Sequence, residues 1–556
     1  MNKRSSIYIL TGLLTLTSIT ACQKDFLERP PLNQLSEDTF WKSEEDVYKV
    51  VNGVYSQLSS ESPPFMDGAT DNAQVQNAWD SPSNPISAGT INANNDAGWG
   101  FKDIRRANYF MENADRVTVI APALLERYKA EVRFIRAYAY FNLMNSFGDV
   151  PLFTKVLALG EENIPRTPRK LVQEFILSEL EAVAKVLPKI YSGGKPNEKG
   201  RITQGAALAL MARVYLYDSQ FQQAANVAST VMGMNYELFT TTAEEEKDKL
   251  DDYSKYVDFK DADDKENFRK GLRSYERLFY QKNEGNKEVI LDRQHIKQKD
   301  GNFMNTYLLP NDLGGWSSLV PTQSMVDAYE NYQTGEAIVP VDAAQRAVWY
   351  ANVKDSTAYV KEYRNRDPRF YATIQFHGAV WNAAVKKPPY FYNSRLNGNN
   401  SSKSGYNFRK LVDPTVIEEQ IDNHSNMILF RFAEILLTYA EAKNEVSGPE
   451  PTIYDALDKI RTRSGMPVVN RTKYASKEAL REFIRAERRV ELAVEGQRYM
   501  DIRRWKIAPD VMKTLYDVRN GKIQDRTWTD KLYLMPIPQI EIDKSKGVLV
   551  QTPGYN

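Results

Sequence analysis

One stretch constrains this chain more than any other: Lys477 to Lys506, KEALREFIRAERRVELAVEGQRYMDIRRWK. It holds no proline and a single glycine, Gly496, so it runs as one helix or as two joined at that glycine. Leu480, Phe483, Ile484, Val490, Ala493 and Val494 recur at spacings of three and four, which marks an apolar stripe. Opposite charges three apart lie between them: Glu482 with Arg485, Arg488 with Glu491, Glu495 with Arg498, and Asp501 with Arg504. Each such pair adds about 0.2–0.5 kcal/mol when exposed, too little to account for so much charge. If the helix is buried, its charges must be paired and hydrogen-bonded, because a lone buried ion costs several kcal/mol. The Glu487/Glu491/Glu495 ladder on one face therefore reads as paired with arginines rather than as chemistry.

The chain opens as an export signal. Lys3 and Arg4 supply the positive end, and Ile7 to Leu16 is apolar but too short to cross a bilayer. Small residues then lead to Cys22, in a pattern like that of lipoprotein signals, where the thiol receives a lipid and becomes the mature N-terminus. Cys22 is the only cysteine in 556 residues, which rules out intramolecular disulfides and a cysteine nucleophile. Without residues 1–21 the 73 basic residues become 71 against 72 acidic, a net charge of −1. That balance gives no long-range field to draw in nucleic acid. No later stretch is apolar enough for a transmembrane helix.

Helical periodicity covers 101–117, 124–147, 165–187, 204–232, 430–445 and 454–463, the last two separated by a Gly-Pro-Glu-Pro insertion. Ala212, Tyr215, Phe221, Ala224 and Ala228 fall at the offsets of a tetratricopeptide helix pair, where two helices meet closely at alanine. Residues 60–100 and 240–425 differ: loop-rich, with short strand-like runs at 288–293 and in FYATIQF, and an acidic stretch, EEEKDKLDDYSKYVDFKDADDKE, that reads as solvated loop or weak helix. The fold class is mainly α. Tetratricopeptide-like repeats (about 40–58, 101–232 and 426–506) pack with a loop-rich, ligand-facing half (60–100 and 240–425), all within a single domain, 22–556.

Several phrases carry a resemblance. IRAERRVELAVEGQRYMDIRRWK closely resembles the C-terminal signature of the SusD/RagB family. Phe40-Trp41-Lys42-Ser43-Glu44-Glu45-Asp46, RFIRAYAYFNLMNSFGDVPL, the Pro321-Thr322-Gln323 helix entry, Arg366-Asp367-Pro368-Arg369, LYLMPIP and QTPGY are similar to further family segments, in the expected order. Gln23-Lys24-Asp25 is similar to the charged tag that sends such lipoproteins to the cell surface. The resemblance implies an outer-membrane lipoprotein facing the exterior that captures nutrients, mostly glycans, for a SusC-like TonB-dependent transporter. The RagB branch implies peptide instead.

The residues themselves show little catalytic chemistry. His295, His377 and His424 lack metal-ligand spacing, and no phosphate or dinucleotide loop appears, so no metal or cofactor is expected. A glycosidase carboxylate pair remains the alternative, although nothing singles two acids out. What stands out is aromatic residues in polar loops: Trp79, with Asp71 and Asn72 nearby, Trp316, Trp381 and Tyr392. Flat rings bury the C–H faces of sugars, and carboxylates and amides bind the hydroxyls. A ring covering ~50 Å² contributes ~1 kcal/mol, so two or three rings plus hydrogen bonds are needed for micromolar to millimolar affinity. The resemblance favours Trp316 among these, since the family builds its glycan platforms from these loops.

Overall fold

The computed structural model describes residues 40–555, apart from 60, 78, 162, 192–197, 354–356, 420 and 421. Cys22 and the expected export signal lie outside the described residues.

The principal helices are α1 (Glu44–Tyr55), α2 (Lys102–Asn113), α3 (Pro122–Phe147), α4 (Arg169–Val186), α5 (Gln204–Tyr217), α6 (Phe221–Met232), α7 (Ala262–Arg277), α8 (Met304–Leu308), α9 (Phe432–Ser447), α10 (Pro451–Arg463), α11 (Lys477–Glu491) and α12 (Gln497–Arg504). Sequence cues set their ends. Ser43 caps α1 in a reciprocal box: its hydroxyl accepts from the Asp46 amide at 3.3 Å, and the Asp46 carboxylate accepts from the Ser43 amide at 2.9 Å. Gly148, at φ +74°, ends α3. The Gly-Pro-Glu-Pro insertion is the entry to α10, which begins at Pro451 rather than at Tyr454, because proline suits the first helical position.

Helices α2 to α6 pack each on the next, and α9 then docks against α6 as well as against α10 and α11. The array is thus continuous in space although residues 233–431 separate α6 from α9. Small residues make the junction possible, with Ala224 and Ala225 of α6 buried against Ala442 of α9. The chain is mainly α, as its periodicity indicated.

The intervening residues carry short antiparallel ladders: β1 (Ala73–Val75) with β3 (Leu319–Pro321), β2 (Val289–Arg293) with β6 (Met427–Arg431), β4 (Ile374–Gln375) with β5 (Asn407–Phe408), and β7 (Leu515–Tyr516) with β8 (Lys522–Gln524). One local expectation fails here and another holds only in part. FYATIQF is mostly helix, since Asp367 caps a turn over Pro368–Thr373 before β4 begins. The acidic run is mostly exposed loop up to Asp261, as expected, but it is anchored at two acids. Asp248 and Asp251 are buried against Arg273 and Arg277 of α7, which the same run leads into.

Two hydrophobic cores result, and α11 belongs to both. Leu480, Phe483 and Ile484 lie in the core of the helical array. Val490, and Ala493 and Val494 just past its end, lie in the core of the other half. The helix stops between them: Val494 takes φ +62° and Gly496 φ +76°. A Cβ on Gly496 would come within 2.6 Å of the Pro63 carbonyl, so the joint accepts only glycine.

The charges of α11 find partners mostly outside the helix. Glu482–Arg485 (3.0 Å) and Asp501–Arg504 (2.9 Å) pair locally. Arg488 instead reaches Asp501 at 2.8 Å, and Glu491 is surrounded by Arg431 at 2.8 Å, Arg369 at 2.9 Å and Arg463. Glu487 pairs with Arg461 at 2.8 Å, and Glu495 with Arg431 at 2.7 Å. Burial alone would raise the Glu491 carboxyl. The guanidiniums of Arg463, Arg431 and Arg369 outweigh that and hold it well below the usual carboxylate range.

Glu491→Ala takes a shared carboxylate from three buried cations and is expected to cost about 3–5 kcal/mol in urea unfolding, against about 0.5 kcal/mol or less for the exposed Glu482→Ala. A depressed carboxyl stabilises the fold above its unfolded value and loses that contribution as pH falls through its folded value. The gap between wild type and Glu491→Gln should therefore be full near pH 7 and shrink once pH drops below ~4.3.

Candidate functional site

The β1–β3 ladder fixes the site. Val75 pairs with Leu319, and the Gln76 amide continues the ladder to the Ser318 carbonyl at 2.9 Å. Trp79 follows on one strand and Trp316 precedes on the other, so antiparallel pairing brings both to the same end. Trp79 is 84% exposed and Trp316 43%. A turn holds Trp79, in which the Asp80 amide donates to the Asn77 carbonyl and the Asn77 side-chain amide to Asp80, both at 3.2 Å.

The Trp316 loop is folded tightly onto α8. The Trp316 amide donates to the Thr306 carbonyl at 2.7 Å and the Ser318 amide to the Tyr307 carbonyl at 2.8 Å. Gly315 approaches so closely that a Cβ there would lie 2.0 Å from the Leu309 carbonyl oxygen. The indole is thereby set edge-to-face against Tyr307, 6.1 Å between centroids, and Tyr307 stacks on Phe303 at 5.9 Å. Phe303 is itself 36% exposed. Phe303, Tyr307 and Trp316 form a stepped aromatic surface beside Trp79. Burial raises the Tyr307 phenol, and the charges of Glu61 and Asp80 add to the rise; Glu61 accepts from the Phe303 amide and Asp80 follows Trp79, so both carboxylates border the rings. The site therefore combines open rings with acceptors for hydroxyl groups. Phe303 and Tyr307 were not anticipated. Their spacing of four, directly after the polar Lys299-Asp300-Gly301-Asn302, was the available signal.

The other four anticipated ligand contacts are occupied internally. Asp71 is buried and takes a two-pronged pair from Arg498, both at 2.9 Å, and a third contact from Arg489 at 3.0 Å. Burial would raise its carboxyl, but the two guanidiniums outweigh it and lower it to about 2. Asn72 is buried, donating to Asp67 at 3.3 Å and accepting from Arg489 at 2.8 Å, and Asp67 in turn accepts from the Val494 amide at 2.7 Å. This loop is a latch onto the α11–α12 joint. Trp381 is fully buried with the Arg409 guanidinium 5.0 Å from its ring, so no face is left for a ligand. Tyr392 is buried too. Its hydroxyl donates to Asn407 at 2.8 Å, and Asn407 donates to the Ser317 hydroxyl at 3.1 Å, so it braces the residue beside Trp316. A polar sequence does not by itself mean solvent: these segments are packed through their own hydrogen bonds.

A helical-repeat body holding open rings at one ladder end has the build of a binding protein. A model described as the SusD family matches residues 276–555, and a second, described as "Starch-binding associating with outer membrane", matches 25–216. The chain belongs to the SusD family. A SusD-like protein of Bacteroides fragilis superposes with a TM-score of 0.77 at 30% identity, across 95% of this chain and 100% of that one. SusD-like protein P25 of Formosa agariphila is 23% identical, across 99% of this chain and 98% of its own length. Starch-binding protein SusD of Bacteroides thetaiotaomicron is 22% identical, across 82% of this chain and 77% of its own.

Trp381→Ala is expected to destabilise the fold by about 3–5 kcal/mol in urea. Trp79→Ala should stay within about 0.5 kcal/mol of wild type, as an exposed ring on a turn should.

Proposed function

We propose that this protein is a cell-surface lipoprotein that captures oligosaccharides and passes them, uncleaved, to a TonB-dependent transporter of the outer membrane. The observation that carries the reading is the open surface of Trp316, Tyr307 and Phe303 beside Trp79, with Glu61 and Asp80 at its polar edge. Stacking suits a pyranose because its C–H face is apolar and its rim is hydroxylated. Family membership and the starch-binding relative support the same ligand class. The lipid anchor at Cys22 and the transporter rest on the family resemblance and the first residues of the chain.

Binding without cleavage agrees with the state of the carboxylates on α11 and in the joint after it. Glu487, Glu491 and Glu495 are each engaged by buried cations, which leaves them no role as acid and base toward a sugar.

A glycan array probed with the chain from residue 23 tests the reading. Binding of at least one oligosaccharide is expected. At ~1 kcal/mol per stacked sugar, Trp316→Ala or Trp79→Ala alone should weaken it about fivefold, and the pair about thirtyfold, with unchanged melting temperature. Absence of glycan binding by wild type, or reducing ends that accumulate with time, would overturn the proposal.

A further inference from the structure

A second feature lies away from the aromatic surface, where α1 packs against α2. A groove of about 570 Å³ runs between them. Val50, Val54 and the Tyr109 ring give it an apolar floor, and Lys102, Arg105 and Arg106 stand along its rim. Residues 102, 105, 106 and 109 repeat at three and four, so cations and ring share one face of α2. Lys102 and Arg106 act on the nearby Asp103, whose carboxyl burial raises and these two charges lower. Among the described residues no ion pair ties up any of the three cations, in a protein whose other arginines are heavily paired.

Gly53 points the same way. It sits inside α1, where glycine costs about 1 kcal/mol relative to alanine, and a Cβ there would meet nothing within 4 Å. No packing neighbour among the described residues explains the glycine. Its effect is to leave the groove open along its floor.

We propose that this groove docks on a membrane surface, taking a phosphate-bearing lipid with its headgroup against Lys102, Arg105 and Arg106 and its apolar part over Gly53. Three cations above an apolar floor complement an anionic amphiphile. The place is right as well. The described chain begins at Phe40, which packs on Trp41, and Trp41 packs on Tyr109 of the groove, 6.0 Å between centroids. The segment leading back to Cys22 therefore departs beside the groove. Residues 23–39, at most ~3.6 Å each, span no more than ~60 Å. This inference shares with the proposed function only the tether at Cys22, not the glycan site.

Vesicle flotation tests it, using the chain from residue 23, which keeps every described residue and lacks any lipid of its own. The protein should float with phosphatidylcholine vesicles containing phosphatidylglycerol and not with phosphatidylcholine alone. Salt should weaken the binding. The triple variant Lys102→Gln, Arg105→Gln, Arg106→Gln should bind about a hundredfold more weakly, near fivefold per charge. Gly53→Phe, whose Cβ meets no neighbour, puts a ring into the groove and should also weaken binding severalfold. Melting temperature and glycan binding of both variants should match wild type, which keeps failure here distinct from failure of the glycan reading. Equal flotation with both vesicle types, none with either, or no effect of the triple variant or of Gly53→Phe would overturn the proposal.

Discussion

Everything in this molecule hangs on the charges buried around α11. The helix crosses from one hydrophobic core to the other, and at the crossing Glu487, Glu491 and Glu495 meet Arg369, Arg431, Arg461 and Arg463. Glu288, next to β2, completes the cluster through Arg431 at 2.8 Å. Apolar packing alone joins surfaces with little preference for register. A buried cation accepts only a carboxylate in one place, since every mismatch leaves a charge unpaired at several kcal/mol. The network thus joins segments distant in sequence (the Arg366–Arg369 turn, β6, α10 and α11) in a single arrangement. This also explains how a chain can leave its helical array after α6 and rejoin it at α9.

The same helix holds the ligand-facing loops. Arg489 and Arg498 grip Asp71, and the Val494 amide grips Asp67. From that latch β1 runs out to Trp79, and its partner β3 carries Trp316. The aromatic surface is therefore an outgrowth of the charged centre, two short strands away from it.

The helices were legible because their signals are local: periodicity, acids after Ser43, glycine at 148. The break at Gly496 was legible as a possibility, and its cause, the carbonyl of Pro63, was not, because that neighbour lies far away in sequence. The charge pairs on α11 were half legible. Spacing places Arg488 beside Glu491, but burial decides in favour of Asp501 and the remote arginines. In the site, the rings of Trp79 and Trp316 could be read from polar loops that call for no apolar residue. Trp381 and Tyr392 came from loops of the same composition and are interior. Composition records how polar a segment is and not whether its hydrogen bonds are made to water or to protein. Phe303 and Tyr307 were passed over because a five-residue helix has too few turns to show a face.

The tightness of the Trp316 loop bears on selectivity. With Gly315 pressed on the Leu309 carbonyl and Ser317 tied through Asn407 to Tyr392, the indole has little freedom to tilt. A rigid ring pays little ordering entropy on complexation. It also dictates the curvature of whatever lies across it. On the proposed reading, polymers whose curvature does not match the step from Trp316 to Tyr307 would touch one ring and release, while those that follow the step would be retained. Discrimination among saccharides would then arise from the pitch of the polymer backbone more than from the identity of any one sugar.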